Sequence, residues 1–118
     1  MAALWVALSA ASAHLPALQA GGAALTASLA LHQFHALGML ILGLLMRTQA
    51  SRWLLTSACL MLLGWVMFCL NIDARLLWGW DAARALVPWG GMAFILSWLC
   101  LMVGLFKGSS GQPGNRDH

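Results

Sequence analysis

The chain has 118 residues, enough for one domain, and is 62% hydrophobic with only 8% charged side chains. Its net charge of +3 does not make a nucleic-acid surface, because the six Lys and Arg residues are not clustered on one element. The apolar residues stand in long runs and lack the dyad alternation of a membrane barrel, which leaves an all-α integral membrane protein.

Four runs predict four transmembrane helices, at roughly 2–18, 23–46, 53–72 and 85–106, against the ~20 residues that cross a bilayer core. The first is the shortest. Its Ala11-Ser12-Ala13 has the form of a signal-cleavage site, but no Lys or Arg precedes it, so the segment is expected to be retained. Gln19-Ala20-Gly21-Gly22 forms the first break, and residues 23–31 read partly as an interfacial lead-in to the second span. Arg47 and Arg52 flank the second break. In the third break Asp73, Arg75, Asp81 and Arg84 cancel, and solvated ion pairing is the expected role of both carboxylates. Pro88-Trp89-Gly90-Gly91 opens the fourth span, and Lys107 and Arg116 follow it. The segment 108–118 is polar, glycine-rich and expected to be disordered, so His118 carries no functional weight. The positive-inside rule puts the 47–52 loop and the C-terminal tail in the cytoplasm, and four spans put both termini there.

Lipid tails give helices no hydrophobic reason to associate, so small and polar residues mark the interior. In the fourth span Gly90, Ala93, Ser97, Cys100 and Gly104 recur at steps of three and four, and Gly91 permits a close approach. Ser57, Gly64 and Asn71 recur every seven in the third span. In the second, Ser28, His32, His35, Met39, Leu42 and Met46 share one side, and Ala3, Ala7 and Ala10 lead to His14 in the first. These stripes predict an antiparallel four-helix bundle with His14, His32, His35 and Asn71 gathered at its extracytoplasmic end. His32, one turn nearer the aqueous edge than His35, is expected to be the wetter of the two. Trp78, Trp80 and Trp89 flank that end and Trp53 the other, as interfacial aromatic belts do. Cys59, Cys69 and Cys100 lie inside the runs without metal-ligand spacing and read as packing residues.

Several of these motifs resemble a small membrane family catalogued as domain of unknown function 423. Ala10-Ala11-Ser12-Ala13-His14 stands where that family ends its first helix with Gly-Ala-Phe-Gly-Ala-His. Leu31-His32-Gln33-Phe34-His35-Ala36-Leu37 resembles its aromatic-Gln-x-aromatic-His-Ala-Leu signature, and Pro88-Trp89-Gly90-Gly91-Met92-Ala93-Phe94 with Trp98 resembles the start of its last helix. His14 and His35 carry over by motif and His32 does not. Phe68-Cys69-Leu70-Asn71-Ile72 departs from the family's Phe-Ser-Gly-Ser-Leu, so Asn71 is a loose counterpart. The first helix is also shorter than the family's. The resemblance implies a four-helix protein of the bacterial inner membrane with no established biochemical role.

Three readings of the histidines stand. In the first, His14 and His35 bond each other, a backbone carbonyl or Asn71 and lock one end of the bundle, which makes the protein a structural or accessory component. In the second, His14 and His35, with His32 and the deeper Met39, ligate haem or copper. No cofactor is expected on the first reading, and the absence of carboxylates from the expected spans weakens zinc and iron sites on the second. In the third, a homo-oligomer handles lipid or a small solute, with the bilayer or another membrane protein as partner. Catalysis is not expected, because no nucleophile–base spacing, phosphate loop or carboxylate pair is present.

Overall fold

The computed structural model describes residues 1–20 and 22–109. Every regular element among them is helical. The elements are α1 (Ala2–Ser12), the short α2 (Pro16–Gln19), α3 (Gly22–Thr48), α4 (Arg52–Trp78) and α5 (Val87–Ser109), the last entered through a 3₁₀ turn at Arg84–Leu86. Three helical segments are long and apolar enough to cross a membrane: α3, α4 and Arg84–Gly108. Their outward faces are apolar. Leu37, Leu40 and Ile41 on α3, Leu55 and Leu62 on α4, and Met92, Ile95 and Leu99 on α5 are all exposed. Such rows on every long helix suit hydrocarbon rather than water.

The expected first span, 2–18, is corrected. α1 has 11 residues, about 16 Å at the helical rise, or roughly half of a bilayer core. It stops because Leu15 precedes Pro16, whose ring disfavours helical backbone in the residue before it. Ser12 Oγ donates to Ser9 O at 2.7 Å as the helix ends, and Pro16 then opens α2. Ala2, Trp5 and Val6 line a shallow groove with Gln33, Leu37 and Leu40, so α1 lies along the middle of α3. Ala3, Ala7 and Ala10, expected to face inward, are exposed; the buried residue is Leu8, whose longer side chain reaches its neighbour.

α3 is a single 27-residue helix, and the expected lead-in at 23–31 is part of it, with Leu25 and Ser28 buried. α4 runs past residue 72, where the third span was expected to end. It stops at Gly79, whose φ of +64° makes a left-handed cap with its N–H donating to Arg75 O at 2.8 Å. Asp73 is therefore helical, and the expectation of a solvated loop carboxylate is corrected.

The buried residues of α4 explain where Asp73 points. Leu54, Ser57, Met61 and Gly64 advance by threes and fours, and the next buried positions are Cys69 and Asp73. The step of five coincides with a π-helical stretch at Val66–Leu70, which spends an extra residue on its turn. Beyond it Asp73 takes the interior position that an unbroken α-helix assigns to Ile72.

α4 and α5 approach closely. Ser57 Oγ donates to Ser97 O at 2.7 Å and Ser97 Oγ to Ser57 O at 2.8 Å. A Cβ on Gly90 would stand 2.7 Å from the Phe68 backbone nitrogen, and one on Gly64 would stand 2.9 Å from Gly90 O. A Cβ on Gly104 would come within 2.9 Å of Leu54, and Ala93 is buried beside this seam. Gly91 differs from its expected packing role, because nothing stands within 4 Å of where its Cβ would be. Leu42, Leu54, Met61, Cys69, Phe94 and Leu101 form the apolar core. Residues 110–118 of the expected tail, with Arg116 and His118, lie outside the described residues.

Candidate functional site

Ser28 and His32 occupy one face of α3, a helical turn apart, and both are wholly buried. α4 meets them with Trp65, just before the π-helical stretch, and Asp73, just after it. Asp73 Oδ1 accepts from Ser28 Oγ at 2.7 Å, and its Oδ2 lies 2.7 Å from His32 Nε2. Trp65 Nε1 donates to His32 Nδ1 at 2.8 Å, with the two rings edge to face at 87°. An indole N–H only donates, so His32 Nδ1 is the acceptor and the ring proton sits on Nε2, shared with Asp73. The imidazole is neutral in this arrangement, and the carboxylate receives two donors. Removing a carboxylate from water costs several kcal/mol unless such partners replace its hydration. Cys69 adds a weak contact, its Sγ 4.0 Å from Ser28 O.

His35, next along the same face, holds the opposite tautomer. Its Nδ1–H donates to Leu31 O at 2.9 Å, and Nε2 accepts from Trp98 Nε1 of α5 at 3.3 Å. Its ring stacks on Phe94 at 3.5 Å between centroids. His32 is thus fastened to α4 and His35 to α5.

The structure does not bring the four expected polar residues together. His14 is exposed in the turn after α1, and no hydrogen bond joins its side chain to His35 among the described residues. The expected His14–His35 contact is corrected because α1 ends too early to carry His14 into the interior. Asn71 Nδ2 donates instead to Ala83 O, tying the upper part of α4 to the turn before α5. His32, expected to be the wetter histidine, is the fully buried one, since α4 continues beyond residue 72 and covers it. The expected absence of carboxylates from the spans is corrected by Asp73. Arg75 and Asp81 do form the exposed ion pair anticipated for the third break, at 2.9 Å.

Sequence reasoning missed Asp73 and Trp65 as partners. One signal was available for Asp73: Leu76-Leu77-Trp78 extends the apolar run beyond it, and Gly79 is the residue type that ends helices. Nothing in the sequence announces the π-helical step that rotates Asp73 inward. Both nitrogens of His32 and of His35 are engaged, so ligation by either would first require a tryptophan or carboxylate bond to break. Among the described residues no group of three or more His, Cys, Asp or Glu is placed to hold a metal ion.

No curated protein and no solved structure matches the chain. A family model described as Protein of unknown function (DUF423) matches residues 8–91, a stretch that holds Ser28, His32, His35, Trp65 and Asp73 and stops short of Trp98. That match takes in well over half of the sequence, and the chain belongs to this family.

Proposed function

We propose that this is an integral protein of the bacterial inner membrane with a structural or accessory role, its helices packed as an antiparallel bundle and held by the Ser28–Asp73–His32–Trp65 network. The observation that carries this reading is the saturation of the network. Asp73 is 4% exposed, and no buried side-chain nitrogen or oxygen among the described residues is without a partner. A ligand or transported ion needs an open valence to bind. Here each buried polar side-chain atom of the network already has a partner that helps hold α3 to α4. Supporting the membrane placement are the three long apolar helices and the sparse charge.

The test is a double-mutant cycle with Asp73→Ala and His32→Ala, read as thermal stability of the full chain in mild detergent. Each single change orphans a buried group and is expected to cost about 1–3 kcal/mol. The double variant is expected to lose less than the sum, because the second change removes a group already orphaned. His14→Ala, at an exposed position, is expected to be neutral. Strict additivity of the first two, or stoichiometric metal in the purified wild-type protein, overturns the structural reading.

A further inference from the structure

Asp73 turns into the interior and so pairs with neither Arg75 nor Arg84. Of the charged residues between 73 and 84, Asp73 is turned to His32, and Asp81 is taken by Arg75. Arg84 is exposed and has no carboxylate partner among the described residues. Arg75 and Arg84 line one cavity of about 480 Å³, together with Asn71. The wall below them is apolar, formed by Ile72, Leu76 and Val87. Trp78, Trp80 and Trp89 stand exposed around the same helix ends, as aromatic side chains do where hydrocarbon meets water.

The geometry points to a binding site for an anionic phospholipid, with its headgroup phosphate between Arg75 and Arg84 and the upper part of its acyl chains against Ile72 and Leu76. Arg84 offers an unpaired planar fork of donors matched to phosphate oxygens, and Arg75, whose Nε is held by Asp81, adds its terminal nitrogens. Arg84 has no carboxylate paired with it, and a lipid of net negative charge gives it a partner that a zwitterionic one, which brings its own cation, supplies less well. The apolar wall distinguishes a lipid from free phosphate, since inorganic phosphate gains nothing from it. The cavity lies within the range of small-molecule sites, roughly 300–1,000 Å³. This inference rests on the bilayer placement but not on the His32–Asp73 lock, so either can fail alone.

The test offers phosphatidylglycerol and phosphatidylcholine in equal amounts to the full-length protein in nonionic detergent and counts retained lipid by native mass spectrometry. Wild type is expected to favour phosphatidylglycerol. Arg84→Gln is expected to lower that preference roughly tenfold, the scale of one charge-assisted hydrogen bond. Arg52→Gln, an exposed cation at the start of α4 and far from the cavity, is expected to leave it unchanged. Equal retention by wild type and Arg84→Gln overturns the site, and so does an equal loss in Arg52→Gln. Inorganic phosphate alone stabilising the protein as much as the lipid would assign the cavity to a free anion and overturn the lipid.

Discussion

His32 and His35 are three residues apart on α3 and carry their ring protons on opposite nitrogens, because a tryptophan N–H meets Nδ1 of the first and Nε2 of the second, and an acceptor, Asp73 or Leu31 O, meets the other nitrogen of each. Trp65→Phe keeps an aromatic ring against His32 while deleting the donor and trimming the indole to a single ring. The orphaned Nδ1 is expected to cost about 1–3 kcal/mol of stability. Nitrogen chemical shifts of His32 should keep the proton on Nε2, where Asp73 still accepts it, and move at Nδ1, while those of His35 stay fixed. An unchanged Nδ1 shift would show that Trp65 does not bond His32. The sequence allowed both histidines to be placed on the inward face of α3, since Ser28, His32 and His35 share helical spacing. It misled about their depth. Depth was counted from a helix end at residue 72, and α4 covers His32 by continuing to Trp78.

At the level of elements, the small-residue stripe of α5 was readable because close backbone approach requires small side chains wherever it occurs. Gly90, Ala93, Ser97 and Gly104 are all buried. Gly90 and Gly91 look equivalent in sequence, yet a Cβ at Gly90 would meet the backbone of Phe68 at 2.7 Å and one at Gly91 meets nothing. Gly90→Ala is therefore expected to destabilise by about 1–3 kcal/mol through overpacking. Gly91→Ala is expected to be neutral or slightly stabilising, since alanine is the better helix former. Equal thermal shifts for the two would contradict the close approach of α4 and α5. The stripe of α4 was readable only as far as Gly64, because extrapolating a seven-residue repeat through Val66–Leu70 assumes a helical pitch that this stretch does not keep.

For the whole molecule, the long apolar runs announced three membrane-compatible helices, because the length needed to cross hydrocarbon leaves little ambiguity. The run 2–18 misled because hydrophobicity alone does not register the break that Pro16 imposes. Arg47, Arg52 and Lys107 lie at the opposite helix ends from Arg75 and Arg84, and on the positive-inside rule we propose that the 47–52 loop and the C-terminal end face the cytoplasm. A reporter fused at the C-terminus is expected to be active in the cytoplasm and one inserted at Gly79 outside it; a cytoplasmic signal from Gly79 would invert the orientation. The π-helical stretch has a consequence at this scale too. Below it, α4 interlocks with α5 through Ser57 and Gly64, with Trp65 at its edge reaching His32; above it, the same helix bonds α3 through Asp73. One rod thus works as two half-keys cut for different locks, and the single surplus residue between them sets the angle at which the second is turned.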